Sequence, residues 1–118
     1  MRERRQFVRV RCNQPLRYRE LGGNPGGFRE TFVLDISEGG MRFRTDRFIP
    51  VDGKLLLEMN LPPSQQTVKA VAKPAWNKTL TGFHECELGV SFLEIAEQDK
   101  TLVRDFVSTR AFQDAYRA

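Results

Sequence analysis

The chain has few of the residues that build metal sites and disulfide frameworks. Its 118 residues include two cysteines, one histidine and no C-x-x-C motif, so the spacing typical of a structural zinc site is missing. Cys12 and Cys86 can form one bridge at most, and we expect both thiols to be reduced. The sequence therefore predicts no metal site and no resident cofactor.

Long apolar segments are also missing. The sequence contains no run of about 20 apolar residues of the kind that spans a membrane, and no apolar stretch follows the first arginines as in a secretory signal. We therefore expect a cytoplasmic protein with no membrane insertion. A chain of 118 residues has room for one domain with one modest core.

Pairs of residues suited to catalysis are equally scarce. His84 falls in a predicted turn, Ser37 has no histidine near it in sequence, and Cys12 has no obvious base, so no nucleophile and general base pair is indicated. Asp35 and Glu38 would act as acid and base only from a buried site that raises one pKa. We expect no catalytic residues and a protein that is not an enzyme.

Positive charge is concentrated at the amino end. Residues 1–20 hold seven arginines and two glutamates, a net charge of +5, whereas the other 98 residues hold 12 basic and 13 acidic side chains. The stretch ERRQFVRVRC, residues 3–12, contains no lysine. The planar fork of arginine binds phosphate oxygens in pairs and reaches the O6 and N7 acceptors of guanine. A solvated, disordered tail is the alternative for such a charge run.

Six segments are typical of β-strands, with turn residues between them. They are residues 15–21, 28–37, 41–46, 54–61, 66–78 and 85–95. In the second segment the alternation places Phe32, Leu34 and Ile36 on one face and Thr31, Val33 and Asp35 on the other. Pro74 cannot donate a ladder hydrogen bond, so it predicts an edge or a bulge. Short strands with this turn spacing favour a closed antiparallel barrel.

The last segment has the spacing of a helix. Its apolar stripe consists of Leu102, Val103, Phe106 and Val107. We therefore predict an all-β fold with one C-terminal helix in a single domain, residues 1–118. Its parts are a flexible arginine-rich arm over residues 1–12, a six-stranded antiparallel barrel over 13–95 and the helix over 96–118. Phe7 and Val8 are expected to dock the arm onto the barrel.

A second polar stretch, DISEGG, occupies residues 35–40. The carboxylate of Asp35 accepts hydrogen bonds only, which suits the N1–H and N2–H2 donors of guanine. Ser37 adds a small donor and acceptor on the same side of an extended chain. Gly39 and Gly40 let the backbone turn and allow a ligand to approach closely. The alternative is an Asx or Ser turn that ends a hairpin.

Together, the two stretches resemble the motifs of the PilZ domain family. Arg5-Gln-Phe-Val-Arg9 matches the R-x-x-x-R motif, and Asp35-Ile-Ser37-Glu-Gly-Gly40 matches the D/N-x-S-x-x-G motif. Gly89-Val-Ser-Phe92 is similar to the G-V-x-F of the last barrel strand, so the resemblance covers nearly the whole chain. It implies a stand-alone, six-stranded PilZ-type barrel that binds the bacterial second messenger cyclic di-GMP.

The resemblance also implies which residues bind the ligand. They are Arg4, Arg5, Arg9, Asp35, Ser37 and Gly40, with Gly39 and Trp76 as further candidates. A basic residue such as Arg4 before the first motif implies an intercalated pair of cyclic di-GMP molecules instead of one. For Trp76, stacking on guanine and a core or barrel-edge position remain alternatives.

The implied function is that of a receptor and adaptor. Its arm orders on ligand binding and changes the interaction with an unidentified protein partner, in motility, exopolysaccharide production or biofilm formation. The alternative is a PilZ-like barrel that binds proteins without nucleotide. A nucleic-acid polymer is not an expected partner, because aromatic residues are not interleaved with basic ones on one sheet face.

Overall fold

The computed structural model describes residues 7–22, 26–80 and 85–116. These residues form seven strands and one helix. The elements are β1 (Val10–Arg11), β2 (Pro15–Leu21), β3 (Arg29–Ile36), β4 (Gly40–Thr45), β5 (Lys54–Asn60), β6 (Thr67–Thr79), β7 (Cys86–Ile95) and α1 (Glu97–Ala115). No helix in this part of the chain is long and apolar enough to cross a membrane.

Six of the strands close into a barrel in which every pair is antiparallel. The order around the barrel is β3, β2, β5, β6, β7 and β4, and β4 returns to pair with β3. The short β1 is an additional strand, which pairs with the carboxyl end of β3 beyond the reach of β2. The predicted all-β barrel with a terminal helix is therefore confirmed. Closure leaves the six barrel strands paired on both sides.

Alternate side chains of the strands fill the barrel. In β5 the buried residues are Leu55, Leu57 and Met59, and in β4 the buried side chains are Met41, Phe43 and Thr45. This is the two-residue period that a strand with one buried face requires. The residues between them point outward, so the charged side chains of these strands lie on the outer wall.

Helix α1 packs its apolar stripe against this core. Val103, Phe106 and Val107 are buried, as the helical spacing predicts. Asp99 in the first turn is also buried, and its Oδ2 accepts a hydrogen bond from the backbone N–H of Lys69 in β6 at 3.2 Å. A polar contact therefore joins the start of the helix to the barrel wall.

The predicted face of β3 is partly wrong. Phe32 is 52% exposed, whereas Val33 and Ile36 are fully buried, although the alternation placed Phe32 and Ile36 on one face and Val33 on the other. The register with β4 shifts between Val33 and Asp35. A β-bulge adds one residue to one strand of a pair and so changes which residues face inward. The bulge leaves Asp35 on the outer wall, beside Arg42.

A second irregularity lies in β6, where Pro74 predicts an edge or a bulge. The register with β7 shifts between Pro74 and Trp76, so the bulge is confirmed. Pro74 is fully buried, but Trp76 is 38% exposed on the outer wall. The shift thus removes Trp76 from the face it would share with Val68 and Ala72, and a core position for the indole is excluded.

Candidate functional site

Strand β1 brings the first motif to the second. Val10 pairs with Ile36 and Arg11 pairs with Asp35, so Arg9, the residue before β1, lies at the end of β3. Its Nη1 is 3.7 Å from Oδ1 of Asp35. The structure thus brings together two residues that lie 26 positions apart in the sequence.

Three of the residues singled out in the sequence lie outside the described residues. They are Arg4, Arg5 and His84. The predicted roles of Arg4 and Arg5 therefore remain predictions. Within residues 7–22, 26–80 and 85–116, no group of three or more histidine, cysteine or acidic side chains could hold a metal ion.

Asp35 is a buried carboxylate whose two oxygens have different surroundings. Its side chain is only 8% exposed. Oδ2 accepts a hydrogen bond from Nε of Arg42 at 2.9 Å, and Nη2 of Arg42 lies 2.9 Å from the same oxygen. Oδ1 is buried without a hydrogen-bond partner among the residues that the structure describes. Leaving a buried acceptor unpaired costs about 1–3 kcal/mol, so a donor from a ligand would be stabilising here.

Arg42 connects Asp35 to a second carboxylate. Its Nη1 donates to Oε1 of Glu87 in β7 at 2.8 Å. The hydrogen bond to Glu87, followed by the hydrogen bond and charge of Asp35, raises the pKa of Arg42, although burial opposes this. Arg42 is therefore fixed as a cation between two anions. Neither Arg42 nor Glu87 was among the predicted site residues.

Ser37 forms the turn between β3 and β4. Its backbone N–H donates to the carbonyl of Gly40 at 2.8 Å, its hydroxyl donates to the same carbonyl at 3.4 Å, and Oγ accepts from the N–H of Gly39 at 3.2 Å. The turn that we held as the alternative role is therefore present. A hydroxyl oxygen has two acceptor positions, so one remains for a ligand.

Both glycines of the second motif have close neighbours, but only Gly40 lies against backbone. A side chain on Gly40 would overlap the carbonyl oxygen of Val90 in β7. At Gly39, a Cβ atom would stand 2.9 Å from two ring carbons of Phe7, which shows that the Phe7 ring covers this glycine. Phe7 therefore docks the arm as expected, while Val8 is 61% exposed.

Four residues on neighbouring strands form a row across the outer wall. Asp35 pairs with Arg42, Arg42 with Gly89, and Gly89 with Trp76. We call this set the cross-strand row; at the usual strand spacing it spans about 14 Å. A side chain on Gly89 would overlap the indole of Trp76, so the ring lies over this glycine. The row therefore has a carboxylate at one end and an aromatic ring at the other.

Helix α1 contacts both motif stretches. Nε of Arg104 donates to Oε1 of Glu38, inside the second motif, at 3.1 Å. Nη1 of Arg110 donates to the backbone carbonyl of Arg11 in β1 at 3.2 Å. The helix is thus joined by hydrogen bonds to the two segments that frame Asp35.

The fold and the site define a small β-barrel domain with an arginine–carboxylate site on its outer wall. The chain belongs to the PilZ domain family, whose family model matches residues 3–109. No curated protein sequence matches it at a significant level.

Solved structures share the fold at low sequence identity. The Bacillus subtilis inhibitor of motility MotI/DgrA is 18% identical, with a TM-score of 0.82 over 98% of this chain and 55% of that chain. The PilZ domain of Escherichia coli YcgR with c-di-GMP is 16% identical, with a TM-score of 0.62 over 98% of this chain and 100% of that chain. The K. pneumonia MrkH–c-di-GMP complex is 17% identical, with a TM-score of 0.66 over 100% of this chain and 56% of that chain. The chain thus spans about half the length of MotI and MrkH.

Proposed function

We propose that this chain is a receptor for cyclic di-GMP and not an enzyme. The observation that carries the proposal is the buried Oδ1 of Asp35, which has no hydrogen-bond partner in the described part of the chain and lies 3.7 Å from Nη1 of Arg9. An unpaired carboxylate oxygen suits the N–H donors of guanine, and a neighbouring guanidinium suits phosphate. A guanine dinucleotide offers both groups in one molecule.

The proposed ligand contacts extend along both motifs. They involve Arg4, Arg5, Arg9, Asp35, Ser37, Gly39, Gly40 and Trp76. The arginines bind phosphates and guanine, and Asp35 and Ser37 bind a guanine edge. Gly39 and Gly40 would contact the ligand through their backbone, since protein atoms already lie against their Cα positions. Trp76, at the far end of the cross-strand row, offers an aromatic face on which a base can stack.

Similar proteins support this ligand by analogy of fold. The YcgR PilZ domain and MrkH were solved with c-di-GMP, and MotI is described as an inhibitor of motility. In our proposal the chain acts in the cytoplasm on motility, exopolysaccharide production or biofilm formation through an unidentified protein partner.

The proposed mechanism is closure of the arm over the ligand. Because β1 already pairs with β3 and the ring of Phe7 already covers Gly39, the closing step concerns the residues before Phe7. Phosphates offset the charges of the arginines, and the arm and ligand together form a surface that a partner binds. Arg4 adds a third guanidinium, which fits two stacked cyclic di-GMP molecules per chain.

Calorimetric titration with cyclic di-GMP tests the proposal. We expect saturation at two ligands per chain for the wild type, and a loss of affinity of roughly 100-fold for Asp35→Ala, since it removes a charge-assisted acceptor. Arg5→Ala should also weaken binding. The matched control is Glu58→Ala, a carboxylate on the same outer wall in β5, which should bind as the wild type does.

Two outcomes would change the conclusion. Saturation at one ligand per chain would contradict the role given to Arg4 but not the receptor. No heat with the wild type would overturn the receptor and favour the alternative, a barrel that binds proteins without nucleotide.

A further inference from the structure

Arg42 lies between two carboxylates on the outer wall and is itself partly buried. Its side chain is 25% exposed, against 8% for Asp35 and 13% for Glu87. We infer that Arg42, held in place by Glu87, is a positioning residue that fixes the carboxylate of Asp35 so that Oδ1 alone faces the ligand. This inference rests on the proposed function, because it assigns two further residues to the same site.

The hydrogen bonds around Asp35 distinguish its two oxygens. Both Nε and Nη2 of Arg42 lie 2.9 Å from Oδ2, and a carboxylate oxygen has two lone-pair positions. Oδ2 is therefore occupied by one guanidinium. Rotation of the carboxyl group would exchange the oxygens, but it would break two charge-assisted contacts. The ligand thus meets a carboxylate whose orientation is set before it binds.

Glu87 fixes the position of the Arg42 guanidinium, as Arg42 fixes that of the Asp35 carboxylate. An arginine side chain has several rotatable bonds, and ordering it costs rotamer entropy. Nη1 of Arg42 donates to Glu87 at 2.8 Å, so the guanidinium is held from both sides. Since the described side-chain hydrogen bond of Glu87 is to Arg42, its effect on a ligand at Asp35 is transmitted through that guanidinium.

A double-mutant cycle on cyclic di-GMP affinity tests whether Arg42 acts through Asp35. We expect Arg42→Gln to weaken binding roughly tenfold and Glu87→Gln roughly threefold, while Arg44→Gln, on the same face of β4, changes it less than twofold. In an Asp35→Asn background, Arg42→Gln should add less than a twofold loss. For variants that bind too weakly for calorimetry, the affinity is measured by NMR chemical-shift titration. Additive losses, or an equal loss for Arg44→Gln, would overturn the positioning role.

A second measurement needs no ligand. The Nε–H proton of Arg42 should exchange with water about tenfold more slowly than that of Arg44 in nitrogen-resolved NMR spectra, and Glu87→Gln should remove most of this protection. Equal exchange of the two protons would overturn the inference even if cyclic di-GMP binds. If the wild type binds no cyclic di-GMP, the proposed function fails, and slow exchange at Arg42 would still support the fixed carboxylate.

Discussion

Two stretches of the outer barrel wall carry arginine–carboxylate pairs, but they differ in contact distance and in the exposure of the arginine. Around Asp35, Arg42 is 25% exposed, and its contacts to Asp35 and Glu87 measure 2.8–2.9 Å. On the wall formed by β2 and β5, Arg17 is 51% exposed, and its Nε lies 3.9 Å from Oε1 of Glu58, which is 18% exposed. The first stretch fixes the orientation of its side chains, whereas the second is a longer pair with an exposed arginine and contributes little to stability.

A groove of about 670 Å³ lies beside the second stretch and is lined by residues that include Arg17, Glu30, Phe32 and Glu58. The site around Asp35 instead has a buried oxygen that lacks a partner among the described residues. Our proposal places the ligand at this unpaired oxygen and not in the groove.

The largest expected effect comes from the glycine that closes the barrel beside Asp35. Gly40→Ala should destabilise the fold by about 3 kcal/mol, because its Cβ would overlap the carbonyl oxygen of Val90 and force the β4–β7 contact apart. Gly26→Ala is the control, since a Cβ there meets nothing within 4 Å. Urea unfolding followed by circular dichroism measures both. Equal stability of the two variants would mean that the strands beside the site are not packed as described.

Charge removal should affect ligand binding at one stretch only. Arg9→Gln should weaken cyclic di-GMP binding about tenfold, since a charge-assisted contact is worth about 1.5 kcal/mol or more, and should reduce the salt dependence of affinity. Arg17→Gln removes the same charge from the exposed pair and should leave affinity within twofold. Titration of both variants with cyclic di-GMP at two salt concentrations measures these affinities. The same loss in both variants would indicate a general charge effect and break the distinction between the stretches.

The aromatic side chains of the two stretches provide a smaller contrast. Trp76→Ala should weaken binding about fivefold, close to the lower limit for base stacking, whereas Phe32→Ala, beside the groove, should have no effect. Trp76 is the only tryptophan, so its fluorescence in the wild type should also change on addition of cyclic di-GMP. An unchanged spectrum at saturation would remove Trp76 from the proposed contacts.

The smallest effect is expected at the contact between helix and motif. Arg104 and Glu38 are 53% and 36% exposed, so Arg104→Gln should change the free energy of unfolding by less than about 0.5 kcal/mol. Arg17→Gln should change the free energy of unfolding by an equally small amount. Thermal unfolding measures the melting temperatures of the two variants. A melting temperature lowered by several degrees in Arg104→Gln alone would show that the helix supports the site more strongly than exposed pairs do.

The features that could be predicted from the sequence are those that depend on the local pattern of apolar and polar residues. The strands and the terminal helix follow from periods of two and 3.6 residues, whereas the contact of Arg9 with Asp35 in the absence of a ligand was not predicted. The bulge between Val33 and Asp35 has no comparable local signal, so the outward position of Phe32 was missed. Pro74 did predict its bulge, but the direction in which Trp76 would turn depends on packing over Gly89.

Contacts between strands that are far apart in the sequence were the second feature that could not be predicted. Arg42 and Glu87 are 45 residues apart, and their hydrogen bond exists because β4 pairs with β7. Alternation predicts that each points outward, but not that both lie beside Asp35. Strand order and register determine such neighbours, and a single sequence specifies these weakly.

Mapping of backbone amide shifts on addition of cyclic di-GMP tests the central claim most directly. We predict the largest changes in residues 35–40 and at Arg9 and Gly89, with little change at Arg17, Phe32 and Glu58. Changes concentrated in the groove between β2 and β5, with Asp35 and its neighbours unmoved, would contradict the account.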